Sequence, residues 1–208
     1  MENEEVIMSY IIKKVTVEQI DTIYNSYMVK DFPKSELKPL DRIKYTMEKG
    51  LSEVIALYEG DKIQSYAVLI IPEEGEYALL DYYAVVKEYR GKGIGHVMFE
   101  QIVEYLRGHS LKGQTKCVKG LIIECESLET SPCEDERITR SRRIKFYESC
   151  GCRRLDLRSE LFGVEYVILE MQVGQDNDNP ALKDLELIYR QMFKKKHFEE
   201  RVKYWISE

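Results

Sequence analysis

"AVVKEYRGKGIGHVMFE", residues 84–100, runs an apolar strand pattern into three glycines interleaved with basic residues, and then into an amphipathic helix pattern. Glycine inside a regular element costs roughly 0.5–1 kcal/mol relative to alanine, so Gly91, Gly93 and Gly95 mark a place that needs bare backbone. Two phosphate-binding patterns fail on spacing. The dinucleotide fingerprint G-x-G-x-x-G, counted from Gly91, puts His96 where its third glycine belongs. The P-loop needs Ser or Thr after Gly-Lys, and here Gly93 follows Gly91-Lys92. What remains is Arg90-x-x-Gly93-x-Gly95 at a strand-to-helix turn. Successive N–H groups at a helix N-terminus form an anion site. Glycine lets the main chain approach a pyrophosphate, and Arg90 and Lys92 add positive charge.

Outward from this loop the chain reads as one domain of mixed α and β pattern around a sheet. "EEVIMSYIIKKV" (4–15) is a strand. "TVEQIDTIYNSYMVKDF" (16–32) is a helix with Thr16 as N-cap, and "DFPKSELKPL" (31–40) is a proline-punctuated loop. Residues 40–49 form a short helix ending at Gly50. "SEVIALYEGDKIQSYAVLII" (52–71) reads as a hairpin through Gly60-Asp61, and "YALLDYYAVV" (77–86) as a further strand. After the glycine loop, Ile94, Met98, Ile102, Tyr105 and Leu106 mark one helix face. "RGHSLKGQTKCVK" (107–119) is a polar connection, "GLIIECE" (120–126) a strand, and "SLETSPCEDE" (127–136) an exposed acidic loop. "RITRSRRIKFYESCG" (137–151) is a helix closing at Gly151, followed by two strands about Phe162-Gly163. "GQDNDNPA" (174–181) is a linker, and residues 181–205 are one last helix with Leu182, Leu185, Tyr189, Met192 and Phe193 on one side.

Composition narrows the function. With 44% hydrophobic and 33% charged residues the chain is an ordinary globular protein. No apolar run approaches the about 20 residues of a membrane span, and the acidic start "MENEEVIMSY" lacks the pattern of a signal peptide. A cytoplasmic protein without membrane contact is expected. The net charge of −6 speaks against nucleic-acid binding and suits a cationic or neutral substrate. The 5 cysteines include no C-x-x-C pair and the 3 histidines are scattered, so no metal site is expected.

A second motif, "FYESCGCRRL" (146–155), accompanies the loop. Together they resemble the GNAT (GCN5-related) N-acetyltransferase superfamily: Arg90-x-x-Gly93-x-Gly95 is similar to its acyl-CoA-binding motif, and the helix ending in Phe-Tyr-x-x-x-Gly to its second signature. The resemblance implies an α+β fold with a central, mostly antiparallel sheet of about seven strands splayed between the fourth and fifth, flanked by helices. Residues 1–174 would be the acetyltransferase domain, and 175–208 a linker and C-terminal helix packed on it or on a partner, with a homodimer as one outcome.

The implied activity is transfer of an acetyl group from acetyl-CoA, as co-substrate, to a small-molecule or peptide amine in a ternary complex. A non-catalytic acyl-CoA-binding or interaction module is the alternative. The resemblance places the cofactor contacts at Val85, Val86, Arg90, Gly91, Lys92, Gly93, Ile94, Gly95 and His96. A Val85 or Val86 N–H would face the thioester oxygen, and Tyr147 would protonate the departing thiolate. Many relatives carry an asparagine where this chain has Arg140, and an aromatic where it has Cys152.

Glu124 and Glu126 share a strand face by alternation and are candidate bases, with a salt bridge to the arginines of 137–143 as the other reading. Glu126, nearer the strand end, is the first choice. Asp81 and Tyr83, on one face with Val85, are candidates for binding a cationic amine. Cys150 and Cys152 read as packing rather than as nucleophiles.

Overall fold

The computed structural model describes residues 10–108, 118–174 and 181–207. Its strands are β1 Tyr10–Lys14, β2 Ser52–Glu59, β3 Lys62–Ile70, β4 Tyr77–Val85, β5 Gly120–Glu126, β6 Arg153–Leu161, β7 Val164–Gln172 and β8 Val202–Ile206. The helices are α1 Ile20–Ile23, α2 Val29–Asp31, α3 Leu40–Lys49, α4 Ile94–Arg107, α5 Glu134–Ser149, α6 Ala181–Met192 and α7 Lys195–Arg201. The strands form one mixed, mostly antiparallel sheet in the order β1-β2-β3-β4-β5-β7-β6-β8, with β4 and β5 parallel. Two compact units divide the chain: residues up to Val68 with Tyr82–Gln101, and Leu69–Asp81 with the described residues from Ile102 onward.

In the first unit Thr16 opens the helical segment. Its hydroxyl accepts the Gln19 N–H at 3.3 Å while the Gln19 side chain accepts the Thr16 N–H at 3.0 Å, a reciprocal capping box. The segment is not a uniform α-helix, because Tyr24–Met28 is wound as a π-turn between α1 and α2. Ile20, Ile23 and Met28 pack with Val15, Ile43, Val54, Tyr66, Val68 and Ala84 in one apolar cluster. α3 ends as the glycine predicts, with Gly50 left-handed at φ 69°. Gly60 turns the β2–β3 hairpin at φ 58°.

In the second unit the β4–β5 pairs run in register from Tyr77–Gly120 to Leu80–Ile123, short of the ends of both strands. Phe162 and Gly163 turn β6 into β7 with φ 54° and 88°, the two left-handed positions of a tight hairpin. The apolar side of α6 buries Leu185, Ile188 and Tyr189 with Ile70, Leu79, Ile122, Leu157 and Ile168. The C-terminal helix therefore packs on its own chain.

Three sequence expectations change. α5 begins at Glu134, within the stretch read as an acidic loop; Glu134, Asp135 and Glu136 fill its first turn, where the helix dipole favours negative charge. The last helix is not continuous: α6 stops at Met192, α7 follows, and Val202–Ile206 leaves helical geometry to form β8. β8 pairs antiparallel with β6, from Leu157–Ile206 to Leu161–Val202. Its Val-Lys-Tyr-Trp-Ile composition suits a strand, and it covers an edge that β6 would otherwise expose. The sheet thus has eight strands rather than about seven. The N-terminal strand is described only from Tyr10, and most of the polar connection and the linker lie outside the described residues.

Candidate active site

The glycine loop follows β4 directly. A single 3-10 turn, Lys87–Tyr89, leads to Arg90 in extended geometry. Gly91 and Gly93 then take φ 75° and 80°, with open space where a Cβ would stand. A left-handed backbone explains glycine at both positions, and the open surface leaves the main chain accessible. Gly95 sits instead within the first turn of α4; its carbonyl accepts the Tyr83 hydroxyl. The first intrahelical bond runs from the Val97 N–H to the Gly93 carbonyl at 3.3 Å, so the Ile94 and Gly95 amides have no acceptor inside the helix. The Ile94 side chain is buried, so only its main chain is at the surface. Lys92 and His96 are exposed.

Arg90 is already engaged. Its Nε donates to the Val85 carbonyl at 2.9 Å and a terminal nitrogen to Asp31 Oδ1 at 2.6 Å. Asp31 accepts the Tyr66 hydroxyl at 2.8 Å on its other oxygen. Burial and the adjacent carboxylate push the Tyr66 phenol up, so it stays a donor. Asp31 offsets the charge of Arg90, which leaves Lys92 and the helix N-terminus as the positive elements of the loop.

The two candidate oxyanion donors differ. Val86 gives its N–H to the Gln64 carbonyl at 2.9 Å. Consecutive strand amides point to opposite sides, so the Val85 N–H is directed away from β3. Tyr83, read as a substrate contact, instead holds the first turn of α4 through Gly95 and packs edge-on to Phe99 at 6.4 Å. Asp81 is partly exposed on the same face of β4. The proline loop is fixed by tyrosines: the Tyr82 hydroxyl accepts the Lys38 N–H at 2.9 Å and donates to the Glu36 carbonyl at 2.7 Å, while Tyr24 donates to the Lys38 carbonyl at 3.1 Å.

In the second unit Tyr147 lies buried near the end of α5, its ring 5.1 Å from Phe146. Its carbonyl accepts the Cys152 N–H at 3.0 Å across the left-handed Gly151, so the Tyr-x-x-x-Gly spacing builds the helix C-cap. The two β5 carboxylates have different surroundings. Glu126 bonds Arg140 at 2.9 Å through one oxygen and Arg143 at 3.0 Å through the other. Arg140 also donates to the Ser127 carbonyl at 2.8 Å and so ties α5 to the end of β5. Glu124 Oε1 accepts the Tyr189 hydroxyl of α6 and, at 3.3 Å, the Ser159 hydroxyl.

Burial pushes the Cys125 and Cys152 thiols up to about 12, so both are neutral near pH 7. Among the described residues no group of three His, Cys, Asp or Glu side chains is placed to hold a metal ion, and no helix is long and apolar enough to cross a membrane. Asp31, Tyr66, Gln64, Tyr189 and Ser159 were not singled out by the sequence. Each acts on a candidate residue distant in the chain, Tyr66 through Asp31, and no local spacing marks such a pairing.

A strand, two left-handed glycines and a helix N-terminus, with the exposed Lys92 ammonium 5.6 Å from the Tyr89 ring centroid, make an arrangement whose main-chain amides can receive an anionic group. The model of the acetyltransferase (GNAT) family matches residues 17–120 of the 208; the chain belongs to that family. The search of curated proteins found no match.

Solved structures share the fold. One is the ribosomal-protein-S18-alanine N-acetyltransferase from Escherichia coli, with TM-score 0.55 and 17% identity over 82% of this chain and 98% of that one. A second is a protein from Bacteroides thetaiotaomicron assigned to the GNAT family, with TM-score 0.61 and 17% identity over 90% and 98%. A third is spermidine N-acetyltransferase from Vibrio cholerae in complex with CoA and spermine, with TM-score 0.56 and 10% identity over 79% and 95%.

Proposed function

We propose that the protein is an acetyl-CoA-dependent N-acetyltransferase that acts on a primary amine by direct attack in a ternary complex. The observation that carries this reading is the accessible main chain at Gly91 and Gly93 beside the α4 N-terminus, in a chain of the acetyltransferase family. The amides of residues 91–96 and the Lys92 ammonium hold the diphosphate of CoA. Arg90 acts one step behind them and fixes the loop through Val85 and Asp31.

The amine nitrogen forms a bond to the acetyl carbon, and the negative charge that develops on the carbonyl oxygen is met by the Val85 N–H, since Val86 gives its own to Gln64. As the C–S bond breaks, Tyr147 gives its proton to the CoA thiolate, and the second proton shed by the nitrogen as the amide forms returns the tyrosinate to tyrosine. That assignment rests on the place of Tyr147 in the Phe-Tyr-x-x-x-Gly motif. For the ammonium proton we choose Glu124 over Glu126. Glu126 has both oxygens bound to guanidinium groups, whereas the partners of Glu124 include the neutral hydroxyls of Tyr189 and Ser159, which oppose proton uptake less than two cations do. Asp81 contributes negative charge for a cationic acceptor. We assign residues 1–174 to the acetyltransferase domain and 175–208 to a linker and C-terminal segment that serve it, and we place the protein in the cytoplasm.

The second reading, a non-catalytic acyl-CoA-binding or interaction module, draws on the exposed Trp205 and Ile206 at the end of the chain's last strand, while Leu185, Ile188 and Tyr189 of α6 are buried within the chain. The test is release of CoA thiol from acetyl-CoA across a panel of polyamines, amino acids and peptides, which includes spermidine and an alanine peptide, after the names of two structural neighbours. Turnover of one class supports the reading. Saturable CoA binding with no turnover favours the non-catalytic module.

A further inference from the structure

We infer that Tyr189, supplied by the C-terminal helix α6, is a positioning residue for Glu124, and that α6 is thereby part of the amine-binding machinery; this rests on the role proposed for Glu124. The Tyr189 and Ser159 hydroxyls converge on one carboxylate oxygen, Glu124 Oε1. Two donors on one oxygen fix the side-chain torsion of a carboxylate and favour its ionised form.

The donor itself is held firmly. Tyr189 is fully buried, with Phe193 at 6.1 Å and Tyr204 at 6.4 Å between ring centroids. In the first turn of α6, Asp184 accepts the Glu76 N–H at 2.7 Å and anchors the start of the helix. Facing the Tyr189 hydroxyl are Glu124 on β5, Ser159 on β6 and Tyr166 on β7. Burial and the Glu124 charge push the phenol well above its ordinary range, so Tyr189 donates throughout the working pH range. α6 and Glu124 both lie outside the residues matched by the family model. The C-terminal helix thus sets the orientation and basicity of a β5 carboxylate.

The experiment uses full-length protein labelled with 13C at the glutamate carboxyl carbons, with Glu124→Gln assigning the Glu124 signal. In Tyr189→Phe, which keeps the ring, the midpoint pH of that signal rises while the melting temperature stays near that of wild type. Ser159→Ala, which removes the longer bond, moves it the same way by less. n-Butylammonium is the probe of amine binding: it shifts the Glu124 signal in wild type, and Tyr189→Phe requires about fivefold more to saturate, as loss of one orienting hydrogen bond implies. A midpoint unmoved in both variants overturns the inference. A wild-type signal that ignores n-butylammonium removes Glu124 from the amine site but leaves the midpoint shift to decide whether Tyr189 orients it.

Discussion

Arg90 and Asp31 lie 2.6 Å apart, nitrogen to oxygen, joining the glycine loop to the end of α2. The arginine is half exposed while the aspartate side chain is only 9% exposed and also bonded to Tyr66. The pair therefore acts more through geometry than through Coulomb energy, which solvent screens at such a site. If Arg90 shapes the loop, Arg90→Ala and Asp31→Asn each weaken CoA binding by about five- to tenfold. The double variant is then little worse than either single one. Titration calorimetry with CoA decides: an Asp31→Asn protein that binds CoA more tightly would mean that Arg90 reaches for the diphosphate itself.

Gly93→Ala gives a cleaner reading of the ligand. A Cβ there meets no atom within 4 Å, but φ is 80°, a conformation that costs an L-residue about 1–2 kcal/mol. The melting temperature reports that strain alone. CoA affinity falls further, because the added methyl occupies the space a diphosphate needs. Equal losses in stability and affinity would indicate that no ligand approaches this glycine.

Gly120→Ala tests the second unit. The new Cβ would lie 2.2 Å from the Tyr77 ring, and the Tyr77 hydroxyl donates to Glu170 at 2.9 Å, a carboxylate 2% exposed and paired with Arg153. Overpacking of this kind costs about 1–3 kcal/mol, and more when a buried charge loses a donor. Calorimetry should show a drop of about 2–4 °C for each kcal/mol lost. A variant that melts with wild type would mean the ring moves aside at no cost.

Asp184 supplies a pH signature. Burial, foremost, raises its carboxyl above the ordinary value of 3.8. A folded state that holds its proton more tightly than the unfolded chain is most favoured below the unfolded value, and loses that advantage as pH rises through the folded one. At neutral pH the buried charge is a cost. Asp184→Asn keeps an oxygen for the Glu76 N–H and should raise the melting temperature at pH 7, with the gain vanishing below about pH 3.8. A gain that persists unchanged into acid would refute the ionisation argument.

Local pattern carried most of the fold. Gly50, Gly60, Gly151 and the Phe162-Gly163 pair all turn the chain where their identities predict, because a left-handed backbone is written in single residues. The glycine loop was legible for the same reason. What stayed hidden depends on distant partners. β8 exists because β6 offers an edge, so residues 202–205 read as helix until that edge is known. The tie between Arg90 and Asp31, 59 positions away, does not show in the motif. The split between Glu124 and Glu126 follows from Tyr189 and Arg140, which approach β5 from different helices, while strand alternation alone treats the two carboxylates as equals.

The most direct measurement is the rate of CoA thiol release from acetyl-CoA with the amine panel, for wild type and Tyr147→Phe side by side. The account predicts amine-dependent release by wild type. In Tyr147→Phe it predicts a kcat lower by about 10²-fold or more, with acetyl-CoA affinity retained. A Tyr147→Phe protein that turns over at the wild-type rate, or a wild type that binds acetyl-CoA and acetylates no amine, would contradict it.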